Sequence, residues 1–192
     1  MLLADKVVLV AGVGPGLGQA VAVRAAQSGA DVVLAARTGS YLSEVAGKVE
    51  AAGRRALVVP TDLTDDDAAA TLVREALGEF GRVDGLVNNA FAMPPMRSLG
   101  KVDFEELRAN FEVNVLAALR LTRLLTPALI ESGGSVVMVN SAVLRHSRKP
   151  FGPPVRCRLT SSRWTLRWTG PIAKPRRWAS GSPAWTAPRS KR

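Results

Sequence analysis

Short apolar runs alternate with longer segments whose apolar residues recur three or four apart, and this happens five times before residue 140. Val7-Val8-Leu9-Val10 has no polar alternation, which predicts a strand buried on both faces, as in parallel sheets. A helix is expected from Gln19 to about Ser28, with Gly29 as its stop. Val32 to Ala36 is the second predicted strand, and residues 41–52 form a helix with Leu42, Val45 and Val49 on one face. Ala56 to Val59 is the third strand. Thr64, with Asp67 three residues on, is the expected N-cap of a helix that runs to Phe80 and stops at Gly81. Asp84 to Val87 is the fourth strand. A long helix is predicted over residues 102–130, its inner stripe formed by Phe104, Leu107, Phe111, Val115, Ala118, Leu121 and Leu125, with a kink at Pro127. Gly133-Gly134 ends it, and Val136 to Val139 is the fifth strand.

Regular βα alternation predicts an α/β domain: a parallel sheet with helices on both faces. Right-handed crossovers narrow the topology to a doubly wound sheet of order 3-2-1-4-5, whose ligands sit outside the carboxyl ends of the strands. The turns at that edge are Gly12–Gly18, Arg37, Asp62, Asn88–Ala90 and Ser141. The first is the most informative. Gly12-xxx-Gly16-x-Gly18 lies between a buried strand and a helix, and glycine permits a sharp turn and close backbone approach to a ligand. The positive end of the following helix suits a pyrophosphate. A tight strand–helix connection with no ligand uses the same residues.

Charge divides the chain. Residues 1–150 carry 16 basic and 16 acidic side chains, whereas residues 151–192 carry 10 basic and no acidic ones. All four tryptophans (Trp164, Trp168, Trp178 and Trp185) lie in this last part. The net charge of +10 is therefore a property of the tail and not of the domain. The expected organisation is a dinucleotide-binding domain over 1–152 and a basic Pro/Arg/Trp-rich tail over 153–192. A single cysteine, Cys157, excludes an internal disulfide, and the absence of a Cys/His cluster argues against structural zinc; no metal is expected. No signal peptide and no uninterrupted apolar run of membrane-spanning length is found, so the expected location is the cytoplasm, with no membrane partner.

The spaced features Gly12-xxx-Gly16-x-Gly18, Asp62-Leu63, Asn88-Asn89-Ala90, Asn114 and Ser141 together resemble the short-chain dehydrogenase/reductase family over about residues 5–153. That resemblance implies a Rossmann-type domain binding NAD or NADP, and hydride transfer between the nicotinamide and a small carbonyl or alcohol substrate. By the resemblance, Gly12, Gly16, Leu17 and Gly18 line the pyrophosphate. Asp62 and Leu63 border the adenine, although an ordinary helix cap accounts for them as well. Asn89 and Ala90 stand near the cofactor. Phe91 replaces the glycine usual after them, and its ring is expected to crowd the nicotinamide ribose or cap the pocket. Asn114 and Ser141 match the catalytic asparagine and serine; the serine hydroxyl would hold the substrate oxygen as charge develops on it. The plainer readings are a helix asparagine bonded to a neighbouring carbonyl and a serine that caps a turn. The second strand ends in Ala36, where NAD-selective members carry an acid, and Arg37 follows. A guanidinium there pairs with a 2′-phosphate, so NADP is the expected cofactor, with NAD as the alternative.

The family pattern also asks for a tyrosine about 13 residues after the serine and a lysine four residues beyond. A phenol needs a neighbouring cation to act as a base near neutrality. Those positions hold Pro154 and Arg158, and the one tyrosine of the chain is Tyr41. Proline transfers no proton, so the chain is expected to be an impaired oxidoreductase or a catalytically dead dinucleotide binder. No strand or lid pattern follows, so a sheet of about five strands is expected, with a damaged family oligomer contact, an exposed fifth strand and poor solubility. The tail is expected to be disordered, or to be the product of out-of-frame translation. A polyanion-binding tail is the weaker alternative: Arg163-Trp164 and Arg176-Arg177-Trp178 interleave charge with aromatic rings, but no folded nucleic-acid module is present. The coding DNA decides the frame. An alternative frame past codon 153 is expected to encode a Tyr-xxx-Lys helix followed by a β strand; finding no such frame refutes the frameshift.

Overall fold

The computed structural model describes residues 1–93 and 101–140. Among these residues five parallel strands form one sheet: β1 (Val7–Ala11), β2 (Asp31–Ala36), β3 (Ala56–Pro60), β4 (Gly85–Asn88) and β5 (Ser135–Met138). Their order is β3-β2-β1-β4-β5, the doubly wound arrangement the alternation predicts. Every residue of β1 is buried, which is why this strand carries no polar alternation.

The sheet divides the core in two. On one face α1 (Leu17–Gln27) and α2 (Gly39–Ala51) cover Val8, Val10, Val32 and Leu34. On the other, α3 (Asp66–Phe80) and α5 (Ala117–Ser132) cover Leu9, Ala11, Val33 and Leu86. Period-two alternation within each strand thus sends alternate residues into two separate apolar clusters. Leu9, Val10, Val33 and Leu34 are fully buried, and at roughly 25 cal/mol per Å² such side chains contribute about 1.5–3 kcal/mol each.

Two local expectations change. Asp65, not Thr64, caps α3: its carboxylate accepts from the N–H groups of Asp67 (2.9 Å) and Ala68 (3.0 Å). Thr64 is already used, since its N–H and hydroxyl both donate to Asp62, at 3.0 and 2.7 Å. The long helix is also not uniform. It consists of α4 (Phe104–Phe111), a π-helical turn at Glu112–Leu116, and α5. The π turn takes up an extra residue and ends the register of the apolar stripe. Ala117, Leu121, Leu125 and Leu129 are buried, whereas Ala118 is not, no residue of α4 is, and Phe104 is 72% exposed. Pro127 lies inside α5, which continues to Ser132 and ends at Gly133 in the left-handed conformation. Among the described residues Phe104–Ser132 is long and apolar enough to cross a membrane by length and composition alone, and its α5 part packs Leu121, Leu125 and Leu129 onto the sheet.

The amino-terminal edge of the sheet is tied by Asp84. Its carboxylate accepts from Lys6 Nζ (3.0 Å), the Val7 N–H (3.0 Å), and Arg82 Nε (2.8 Å) and Nη2 (2.6 Å). Its N–H donates to the Val7 carbonyl, and its own carbonyl accepts from Ser135, so one residue gathers the starts of β1, β4 and β5. Burial raises the pKa of this carboxyl, but the bonds from Arg82, Val7 and Lys6 outweigh it and hold it below the usual aspartate range. A depressed folded pKa means stability that is present above the unfolded value and lost as pH falls through the folded one. Asp84→Asn is therefore expected to cost about 1–3 kcal/mol at pH 7. In urea melts from pH 7 to pH 3, the gap between the two proteins is expected to narrow below about pH 4; a gap independent of pH would contradict this.

Candidate functional site

Strand register aligns the carboxyl ends of the sheet. Ala11 lies beside Ala35 and Asn88, Ala36 beside Pro60, and Asn88 beside Met138. The segments that leave this edge are Gly12–Gly16, Arg37-Thr38, Thr61–Asp65, Asn89–Met93 and Val139-Asn140. With the first turn of α1, they bring together Gly12, Gly16, Leu17, Gly18, Arg37, Asp62, Leu63, Asn89 and Ala90, all singled out in the sequence. Ser141, Pro154 and Arg158 lie outside the described residues, as do the neighbouring Arg145, His146 and Arg148.

The turn after β1 is packed against the end of β4. Gly12 has φ +95°, and a Cβ there would stand 2.3 Å from the Ala90 nitrogen. A Cβ on Gly18 would stand 2.5 Å from the Gly12 carbonyl oxygen and 2.9 Å from Asn89 Nδ2. That same Asn89 amide donates to the Gly12 carbonyl at 2.7 Å. Two of the three glycines are thus required by the protein's own packing. Gly14 and Gly16 differ: a Cβ at either meets nothing within 4 Å, so the outer side of the loop is open. Gly16, at φ +103°, is the N-cap of α1; no side chain caps this helix and its first turn holds no acid. Its positive end and first N–H groups therefore face the open loop, an arrangement that fits a pyrophosphate.

Beside it, Arg37 is exposed at the end of β2 and followed by α2, which also has no side-chain cap and no acid in its first turn. Asp62 sits across the β2–β3 junction. The N–H of Thr64, then its hydroxyl, hold the Asp62 carboxylate below its usual range, and the charge of Arg37 adds to this. Tyr41, in α2, donates to Gln19 Oε1 at 2.6 Å and braces α2 against α1.

Asn114 stands in the π turn. Its Oδ1 accepts from the Ala92 N–H at 2.8 Å, and its Nδ2 donates to the Ala92 carbonyl and to Asn110 Oδ1, both at 2.9 Å. Asn110 Nδ2 donates to the same Ala92 carbonyl at 2.9 Å. The two amides hold the N–H and the carbonyl of one residue of the loop after β4, so the side chain of Asn114 is spent on holding that loop. Asn110 escaped the sequence reading because a lone asparagine on a helix carries no signal until its partner is known. Phe91 is 61% exposed at the start of this loop. Arg120, on α5, was also missed. Its Nη1 donates to the Leu63 carbonyl at 3.0 Å and its Nη2 to Glu112 at 2.8 Å, while Nε pairs with Asp66. The bond to Glu112, and the charges of Asp66 and Glu112, raise its pKa against the opposing effect of burial. Among the described residues no group of three His, Cys, Asp or Glu side chains stands ready to hold a metal.

The family model described as short chain dehydrogenase matches residues 6–151. An uncharacterized oxidoreductase of Mycobacterium tuberculosis is 40% identical over 151 residues, which cover 78% of this chain and 57% of that protein. A metagenomic short-chain oxidoreductase solved with NADP superposes with a TM-score of 0.76 at 31% identity, covering 82% of this chain and 71% of that one. Carveol dehydrogenase from Mycobacterium avium, solved with NAD, superposes with a TM-score of 0.76 at 25% identity, covering 81% and 61%. The chain spans about half the length of the curated relatives it matches.

The glycines separate two requirements. Gly12→Ala is expected to cost about 2–4 kcal/mol from the clash with Ala90 and the positive φ. Gly14→Ala, in open space, is expected to change stability by less than about 1 kcal/mol. Denaturant melts of the two variants check this; equal losses would refute the packing argument.

Proposed function

The chain belongs to the short chain dehydrogenase family, and from that membership we propose that it binds NADP(H) across the carboxyl edge of its sheet with its hydride-transfer chemistry impaired. The observation that carries the binding part is the open glycine loop at the uncapped positive end of α1, where Gly14 and Gly16 leave room for a pyrophosphate. Leu17 and Gly18 supply the first turn of that helix. Asp62 and Leu63 border the adenine, and Asn89 and Ala90 lie toward the nicotinamide end. Arg37 supports NADP over NAD: it stands immediately after Ala36, β2 offers no carboxylate at its end, and α2 begins with an uncapped turn. A 2′-phosphate gains a charge-assisted partner there.

When bound, the nicotinamide supplies a hydride donor or acceptor for a carbonyl or secondary alcohol. The chain's own part in this reading is limited. Asn114 fixes the loop after β4 through Ala92, and Ser141 is the candidate for holding a substrate oxygen. A proton donor is what the sequence lacks. Pro154 has no ionisable group, and Arg158 has no phenol to activate. An alkoxide left without a proton source stalls reduction, so the reading is a dinucleotide-binding oxidoreductase relative with little or no turnover.

Titration of the intact chain with NADPH and NADH, followed by nicotinamide fluorescence, tests the binding. Arg37→Ala is expected to weaken NADPH about tenfold and NADH less than about twofold, the difference reflecting one charge-assisted contact. Equal loss for both would sink the NADP assignment. An assay of the same preparation with a panel of ketones and aldehydes is expected to show binding without appreciable turnover, and normal turnover would overturn the impairment.

A further inference from the structure

The guanidinium of Arg120 links two loops that the sequence keeps far apart. Its Nη1 donates to the Leu63 carbonyl, in the loop after β3, and its Nε pairs with Asp66 at the start of α3. Its Nη2 donates to Glu112, the first residue of the π turn. Two residues on, Asn114 holds both the N–H and the carbonyl of Ala92 in the loop after β4. Two sets of polar bonds, Leu63–Arg120–Glu112 and Asn114–Ala92, are therefore joined through the backbone of one π turn. Their outer ends lie in two different loops of the same sheet edge, one toward the adenine and one toward the nicotinamide.

Each link is a directed contact. Arg120 is only 23% exposed and spends three of its nitrogens on three partners from three segments. A planar fork of this kind fixes relative position, where a lysine ammonium is a compact point charge on a flexible stem with no set angles between its partners. The π turn makes the link directional: it places Glu112 toward Arg120 and Asn114 toward Ala92 within a single turn of chain.

We propose that Arg120 is a positioning residue that holds the loops after β3 and β4 in one mutual arrangement, so that the adenine and nicotinamide halves of a dinucleotide are bound as one unit. This rests on the reading of the edge as a dinucleotide site. It differs from a purely structural role, because it ties the affinity of one half of the ligand to contacts at the other.

Two ligands measured on the full chain test it: NADPH, and 2′,5′-ADP as the adenine half. Arg120→Met is expected to weaken NADPH about tenfold and 2′,5′-ADP about threefold, with Arg120→Lys intermediate. In hydrogen exchange, the Ala92 amide is expected to lose protection in Arg120→Met while Leu9 of β1 keeps its own. If Arg120→Met does not fold, Glu112→Gln serves, since it strips the charge from the link to the π turn and leaves Arg120 on Leu63. That variant is expected to weaken NADPH about threefold and to leave 2′,5′-ADP unchanged. A lower melting temperature with unchanged affinities below it would overturn the proposal, and so would an equal effect of Glu112→Gln on both ligands. Failure of the unmodified chain to bind NADPH or 2′,5′-ADP would overturn both this and the dinucleotide reading. Binding that Arg120→Met leaves intact would overturn this one alone.

Discussion

Everything at the functional edge depends on one close approach, that of the turn after β1 to the end of β4. Ala90 comes so near to Gly12, and Gly12 to Gly18, that neither glycine has space for a side chain. The bond from Asn89 to the Gly12 carbonyl then fixes the separation. Because β1 is the central strand, this contact sets where α1 begins and where its positive end points. The loop's open side at Gly14 and Gly16 follows from the closed side at Gly12 and Gly18. Steric exclusion in the protein and room for a ligand are two faces of the same short turn.

Much of this was legible in the sequence, and the reason is patterning. Strands buried on both faces must be continuously apolar, and five such runs between helical segments leave few topologies. Gly81 and Gly133 announced helix ends because the left-handed conformation there favours glycine. What stayed hidden depends on partners distant in sequence. Thr64 and Asp65 are both good caps by type, and the choice between them was made by Asp62, which engages Thr64 first. The π turn has no compositional mark, so the inner stripe was carried straight through it to Phe111 and Phe104, which the fold leaves exposed. Asn110 and Arg120 look like ordinary surface residues of a helix until Ala92 and Leu63 are brought beside them.

The site divides unevenly along the chain. The half proposed to grip phosphates lies in the first 40 residues and is mostly backbone geometry: a glycine turn and two uncapped helix ends, with Arg37 beside them. The half that would move a proton depends on single side chains near residues 154 and 158, and there the sequence offers proline and arginine. Backbone-built binding tolerates changes elsewhere in the chain, because it needs only the fold. Proton transfer by a single side chain does not tolerate loss of that side chain.

The two neighbours of β1 also arrive at different times. Val7 pairs with Asp31, but Val8 waits for Gly85. As the chain leaves the ribosome, β1, β2 and β3 with α1 and α2 can assemble while the other edge of β1 still shows bare N–H and C=O groups. That edge closes only when α3 and β4 have been made, and Asp84, which locks it, lies directly before β4. The buried centre of the finished sheet is thus, during synthesis, its most vulnerable border, and the residue that seals it is among the last of its neighbourhood to appear.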